Sequence, residues 1–241
     1  MNGESRSQGV LRGLASDLAA LFPPNGRLSA LLTLALLLQI GYWYFGAPGP
    51  ASPRDPIHAL RWVAWATVLL GLIPLLLCRP LGLRLERLGL TEGDSRTGWQ
   101  AVGIGVLVVI PVAWFAAGDP AVRLAYPWPG AWAGSSALAF FAWAATYTCY
   151  YFAYEFFFRG FLLRGLEPAL GATGALWVQT IASTMLHLGK PLLETIAALP
   201  AGLVFGLLAL RTRSILYVAL IHMTLGLATD LFSLLRAGQL G

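Results

Sequence analysis

The stretch LAYPWPGAWAGSSALAFFAWAATYTCYYFAY, residues 124–154, decides the fold, because none of its 31 residues is Asp, Glu, Lys or Arg. Further uncharged runs occupy residues 28–53, 62–78, 97–118, 168–189, 195–210 and 214–229. A helix that crosses a bilayer needs about 20 mostly apolar residues. Lipid offers no partners for backbone N–H and C=O groups, so a spanning segment must satisfy them internally. The pattern therefore predicts an all-α, polytopic transmembrane helical bundle.

The composition excludes a soluble globular protein. Hydrophobic residues make up 57% of the chain and charged residues 11%, with a mean hydropathy of +0.69. A soluble domain carries roughly a quarter charged residues, which is enough to cover its surface. The net charge of +5 is interpreted as membrane topology and lipid contact, so the predicted partners include the lipid bilayer and no nucleic acid.

Seven spans are predicted, in the order 28–47, 60–78, 98–117, 136–158, 172–188, 193–210 and 214–235. Residues 1–27 form an N-terminal tail, and residues 28–241 form a single transmembrane domain. In the tail, Leu11, Leu14, Leu18 and Leu21 recur at helical spacing. This spacing favours a helix that lies on the membrane surface, and a frayed polar tail is the alternative.

The basic residues are divided unequally between the two sides of the predicted membrane. The tail and the even-numbered loops hold eleven arginines: Arg6, Arg12, Arg27, Arg79, Arg84, Arg87, Arg96, Arg159, Arg164, Arg211 and Arg213. The other side holds five basic residues: Arg54, Arg61, Arg123, Lys190 and Arg236. The positive-inside rule therefore predicts a cytoplasmic N-terminus. One span more or fewer would move the C-terminus to the other side.

Five ionisable residues fall inside the predicted spans or at their ends: Glu155, Arg159, His187, His222 and Asp230. Each costs about 2.5–3.5 kcal/mol to insert at the centre of a bilayer, so each is a functional candidate by default. Glu155 and Arg159 are four residues apart and can pair on one helix face. Asp230 lies eight residues after His222, where it can orient the imidazole or be an ordinary polar residue near the membrane edge.

One Glu and two His on three different spans are predicted to meet in one hydrated pocket. A carboxylate can act as general base towards water, and imidazoles can orient that water or stabilise an oxyanion. Three alternatives stay open at this point. The Glu and Arg can form an ion pair that only eases insertion, and each His can be a helix-to-helix hydrogen-bonding residue. The set Glu155, His187 and His222 can also hold a metal such as zinc.

Three short motifs carry a family resemblance. Residues Tyr154-Glu-Phe-Phe-Phe-Arg-Gly160 resemble the first motif, Glu-Glu-x-x-x-Arg, of the CPBP intramembrane proteases, which include the CAAX prenyl endopeptidases. Ser183-Thr-Met-Leu-His187 resembles the second motif, Phe-x-x-x-His. His222-Met-Thr-Leu-Gly226 resembles the third, in which Asn or a small polar residue follows the His by four positions. The resemblance covers about residues 84–235.

The resemblance implies an intramembrane endopeptidase that hydrolyses a peptide bond near the C-terminal anchor of a membrane-associated protein. It implies catalytic roles for Glu155, His187 and His222, with Arg159 and Tyr154 in support, and no cofactor unless zinc is bound. It also implies a location in a bacterial inner membrane, and it is compatible with the myxosortase-type subgroup of the family. The chain departs from the family pattern at Tyr154, which replaces the first Glu, at Ser183 and at Gly226.

Two other classes of function are weighed against the protease. A non-catalytic membrane scaffold or immunity protein would keep the fold without the chemistry, and the loss of the first motif Glu supports it. A transporter would need broken helices at matching positions in two related halves of the chain, and the sequence has no such halves.

Overall fold

The computed structural model describes residues 3–21, 26–46 and 52–240, and every regular element in these ranges is helical. The all-α prediction is confirmed. We number the helices α1 Gly3–Leu21, α2 Arg27–Phe45, α3 Pro56–Cys78, α4 Ser95–Ala116, α5 Pro120–Ala125, α6 Ala137–Glu155, α7 Gly165–Met185, α8 Leu192–Thr212 and α9 Leu216–Arg236. Helix α3 is α-helical except for its middle, Thr67–Leu72, which is π-helical. Short 3-10 turns cover Leu85–Arg87 and Gly130–Gly134.

The N-terminal tail is helical, as the leucine spacing predicted, and Leu14, Leu18 and Leu21 are all exposed. Its position on a membrane surface stays a prediction. Residues 1–2, 22–25, 47–51 and 241 and the side chains of Arg6 and Leu11, which also entered the predictions, lie outside the described residues.

Helical segments occupy all seven of the predicted spans. Five of them, α2, α3, α4, α8 and α9, are long and apolar enough to cross a membrane. The fourth and fifth spans, α6 and α7, do not meet the same requirement of length and hydropathy. Helix α6 ends at Glu155, and His187 lies two residues beyond the end of α7. The chain is therefore an integral membrane protein, and the ionisable groups of the predicted site lie in or next to these two less apolar segments and in α9, which carries His222 and Asp230.

Contacts between loops define two ends of the bundle. At one end, which we call the arginine-rich end, the Asp94 N–H donates to the Thr212 carbonyl over 2.8 Å and Arg164 Nε donates to the Arg87 carbonyl over 2.8 Å. At the other, the mouth end, the Tyr126 hydroxyl donates to Glu194 over 2.7 Å. The arginine-rich end carries Arg27, Arg79, Arg84, Arg87, Arg96, Arg164, Arg211 and Arg213.

The predicted end of the fourth span at residue 158 is wrong. Helix α6 continues without a break as a π-helical stretch, Phe156–Arg164, and then into α7, which bends at Gly171 with φ 68°. Residues 156–163 are all buried, so the chain stays inside the protein beyond the expected edge. A π-helical stretch widens the turn and is frequently found at functional sites. It places Glu155 well within the bundle, not near its end.

Small residues let the helices around the site approach closely. On α8, Gly202 and Gly206 pack against Thr180 and Gln179 of α7, and Gln179 Nε2 donates to the Gly202 carbonyl over 2.9 Å. On α4, a Cβ at Gly98 would overlap the ring of Tyr217 in α9. Such contacts are typical of membrane helices, where van der Waals packing and interhelical hydrogen bonds replace the hydrophobic effect.

Candidate active site

Glu155 and His222 are in direct contact at the centre of the bundle. The Nδ1 atom of His222 in α9 lies 2.6 Å from Oε1 of Glu155, which ends α6. An ionised carboxylate only accepts hydrogen bonds, so the ring donates through Nδ1–H and the neutral ring carries its lone pair on Nε2. This is the arrangement in which a carboxylate orients an imidazole to act as a base. The sequence predicted that these two residues share a pocket, and the structure brings them together.

Arg159 also contacts the Glu155 carboxylate. Its NH1 donates to Glu155 Oε1 over 3.3 Å, and its Nε lies 3.2 Å from Oε2, although that second contact is not aligned for a hydrogen bond. The two side chains are almost completely buried, with 0% of Glu155 and 2% of Arg159 exposed. Burial of both charges is tolerated only because they pair with each other. The predicted pairing over one helical turn is present.

A cavity of about 470 Å³ leads to this pair from the mouth end. Its inner wall includes Arg159 and His222, whereas the fully buried Glu155 lies behind them and does not line it. Its outer wall includes Phe115 of α4 and Leu193 of α8, which are 78% and 61% exposed. On α8, the small residues Ala197, Ala198, Ala201 and Gly202 line the cavity between Glu194 and Phe205. Their small side chains keep this part of the cavity open.

His187 lies on the same cavity, in the turn that follows α7. Its Nδ1 is 2.8 Å from the Ser183 carbonyl, which can only accept, so Nδ1 donates. Its Nε2 is 3.9 Å from Glu194 Oε1, which is too far for a hydrogen bond. The hydroxyl of Thr195 donates to the His187 backbone carbonyl over 2.7 Å. The turn is thus held from two sides and presents Nε2 of the neutral ring.

Tyr154 stands between the two histidines. Its ring centroid is 5.2 Å from that of His222 and 6.3 Å from that of His187, both edge-on. Arg159 lies 5.7 Å from the centre of the same ring, within the range of a cation–π contact. The tyrosine that replaces the first motif Glu therefore joins the two imidazoles into one cluster.

Asp230 is not part of this cluster. It is fully buried and accepts a hydrogen bond from Trp143 Nε1 over 2.7 Å. The imidazole of His222 is held by Glu155 instead. Spacing along α9 puts Asp230 on nearly the same face as His222, but a separation of eight residues is about 12 Å along a helix. The facing helix α6 supplies both partners, Glu155 to His222 and Trp143 to Asp230.

A second polar group lies at the mouth end, and none of its members is a predicted site residue; only Lys190 was counted, as a basic residue of a loop. Lys190 Nζ donates to Glu194 Oε1 and to the Tyr126 hydroxyl, both over 3.0 Å, and all three residues line the cavity. Lys190 and Glu194 are four residues apart across the start of α8, a spacing that the sequence shows. Their burial was not predictable from that spacing, because the same pattern is common on exposed helix ends.

The metal alternative is judged on the positions of the donor atoms. Among the residues that the structure describes, no three His, Cys, Asp or Glu side chains form a group that could hold a metal ion. Glu155 is engaged by His222 and Arg159, and the Nδ1 of His187 is turned to a backbone carbonyl.

The fold and the cluster define a class: a multi-pass helical membrane protein whose buried Glu–His pair stands at the inner end of a cavity. Residues 135–228 match the family described as type II CAAX prenyl endopeptidase Rce1-like, and this segment contains all three motifs. The predicted resemblance to the CPBP intramembrane proteases is confirmed, and a domain of the Rce1-like intramembrane endopeptidase family covers residues 135–228. The match does not test the myxosortase subtype. No curated protein and no solved structure matches the chain.

Proposed function

We propose that this protein is an intramembrane endopeptidase that hydrolyses a peptide bond near the C-terminal membrane anchor of its protein substrate, with water activated by the Glu155–His222 pair. The observation that carries the proposal is the 2.6 Å contact between Glu155 Oε1 and His222 Nδ1 at the inner end of the cavity. Orientation and charge stabilisation of an imidazole by a buried carboxylate is the arrangement that hydrolases use to deprotonate a nucleophile.

The proton movements are assigned from the Nδ1 hydrogen bonds of the His187 and His222 rings, which leave Nε2 of each as the acceptor. Water attacks the carbonyl carbon of the substrate, and His222 Nε2 takes its proton while Glu155 stabilises the resulting imidazolium. His187 Nε2 accepts a hydrogen bond from the second O–H of the water and so orients the attack. As the C–N bond breaks, His222 returns the proton to the leaving amine. Glu155 acts through His222 and does not touch the water, since it does not line the cavity.

The proposal is tested by the origin of the new carboxylate oxygen. Purified protein in proteoliposomes is incubated, in H₂¹⁸O, with membrane proteins from cells that lack it, and C-terminal peptides are analysed by mass spectrometry. We expect new C-termini that carry one heavy oxygen atom, and none with His222→Ala at equal loading. If wild type and His222→Ala produce the same peptides, the chain is better explained as a non-catalytic membrane scaffold or immunity protein, the reading favoured by Tyr154 in place of a Glu.

The orientation is part of the proposal. The arginine-rich end faces the cytoplasm under the positive-inside rule, so the N-terminus is cytoplasmic and the cavity opens at the opposite face. In a bacterial inner membrane, the substrate would enter the cavity from the outer side, and its scissile bond would reach His222 within the bundle. The apolar rim at Phe115 and Leu193 and the Lys190–Glu194 pair at the mouth end suit a segment that passes from lipid to water.

This orientation predicts opposite labelling of two exposed positions. In a background with Cys78 and Cys149 replaced by alanine, Ser135→Cys at the mouth end should react with a membrane-impermeant maleimide on intact spheroplasts. Thr91→Cys, exposed at the arginine-rich end, should react only after permeabilisation. Labelling of position 91 alone on intact spheroplasts would reverse the orientation.

The proposed reaction requires no metal, because the described base is an imidazole held by a carboxylate. We therefore expect the cleavage rate to stay within about twofold after dialysis against EDTA and 1,10-phenanthroline, a change of less than roughly 0.5 kcal/mol. The control is readdition of zinc to the dialysed sample, which should not raise the rate. A loss that zinc reverses would favour the Glu155, His187 and His222 set as a metal site.

A further inference from the structure

Gly226 makes room for the hydroxyl group of Tyr151. A Cβ built at Gly226 would overlap the Tyr151 hydroxyl oxygen, so no other residue fits at this position while that tyrosine keeps its place. Gly226 follows His222 by four residues and lies one turn along the same face of α9. Both residues line the cavity, and so does Tyr151.

Tyr151 is also positioned by its own helix. It precedes Glu155 by one turn of α6, and its ring is edge-on to His222 with centroids 4.9 Å apart. The ring is 3% exposed and packs on Tyr147 at 4.7 Å and Tyr150 at 5.3 Å. A side chain fixed in this way can aim one hydroxyl at a reacting group without paying for reorganisation during the reaction.

We infer that the Tyr151 hydroxyl donates a hydrogen bond to the oxyanion that forms when water attacks the substrate carbonyl, and that Gly226 is required because it admits this hydroxyl. The inference rests on the proposed hydrolytic function. The negative charge develops on the carbonyl oxygen next to the carbon that the His222-bound water attacks. A donor one helical turn from His222 stands beside that oxygen, whereas the ring of Tyr154 is shared between both histidines and Arg159.

The hydroxyl is tested by Tyr151→Phe, with Tyr217→Phe as the matched control. Tyr217 has a buried ring on α9, the helix that carries His222, but it does not line the cavity, and its hydroxyl donates to the Glu92 carbonyl over 2.8 Å at the arginine-rich end. Loss of one oxyanion donor typically lowers kcat by about 10²–10³-fold. We expect a fall of about 10²-fold in kcat for Tyr151→Phe with KM within about threefold, because the donor acts in the transition state. Tyr217→Phe should stay within about threefold in both constants.

Three results would overturn the inference while leaving the proposed hydrolysis intact. One is a kcat of Tyr151→Phe within threefold of wild type; another is an equal fall in kcat for Tyr217→Phe. The third is a loss confined to KM, which would assign the hydroxyl to substrate binding. The thermal midpoints of both variants are measured in the same lipid mixture, and rates are normalised to folded protein. If wild type itself cleaves nothing, it is the proposed function that fails.

Discussion

Glu155→Gln is expected to slow substrate cleavage by about 10²- to 10⁴-fold, the range that general acid–base catalysis contributes. The amide keeps the size of the carboxylate and can still accept a hydrogen bond from His222 Nδ1 over the observed 2.6 Å contact. It cannot stabilise the imidazolium that forms when His222 takes a proton from water. The loss should appear in kcat, since the charge of Glu155 matters most once His222 is protonated.

The matched control for this variant is Glu167→Gln. Glu167 lies on α7, its side chain is 40% exposed, and it is 3.7 Å from Arg164, so its charge is solvated and distant from the cavity. Its rate should stay within about twofold of wild type. The amide oxygen of Glu155→Gln can still accept a hydrogen bond from Arg159 across the observed 3.3 Å contact, so we expect this variant to insert. A Glu155→Gln rate within threefold of wild type would contradict the proposed role of this residue.

Arg159→Met is expected to lower the free energy of unfolding by about 3–5 kcal/mol, the usual cost of removing one partner of a buried pair. We expect Arg159→Met to lose more stability than Glu155→Gln, and the difference has a structural cause. Glu155 is fully buried behind the cavity wall, so without Arg159 its charge would have neither a guanidinium nor water beside it. The measurement is reversible unfolding in mixed micelles, followed by tryptophan fluorescence.

Two comparisons separate loss of the ion pair from loss of the long side chain. Arg84→Met removes an arginine that is 68% exposed and lies 3.6 Å from Glu86, and it should cost less than about 1 kcal/mol. The double variant Glu155→Gln/Arg159→Met removes the uncompensated charge and should recover a large part of the lost stability. If the double variant is as unstable as the sum of the single variants, the pair is not coupled.

The architecture was predictable from the sequence because uncharged runs of this length leave few alternatives. The ends of the individual spans were less predictable. Hydropathy placed the end of the fourth span at residue 158, but the buried π-helical stretch continues to Arg164. Arg159 suggested a membrane edge, since a charged residue usually lies there. Its inward orientation depends on Glu155 and on the rings around it, which a hydropathy pattern does not encode.

The residues of the candidate site were more predictable from the sequence than the contacts between them. Glu155, Arg159 and His222 stood out because ionisable groups are rare in apolar segments. The choice of Glu155 over Asp230 as the partner of His222 depends on which residues of α6 face α9, and the spacing within α9 cannot determine this. Tyr151 was not selected, since a tyrosine in an apolar run is ordinary. The sequence feature linked to Tyr151 is Gly226, because the Tyr151 hydroxyl occupies the space that a side chain at position 226 would fill.

The most direct test of the account compares C-terminal peptides in native membranes from cells that express wild type or Glu155→Gln at equal levels. Total protein is digested, and the C-terminal peptides are identified by mass spectrometry. The account predicts truncated C-terminal tails, each ending near a membrane anchor, that occur with wild type and are absent with Glu155→Gln. Indistinguishable peptide sets, with both proteins correctly inserted, would contradict it.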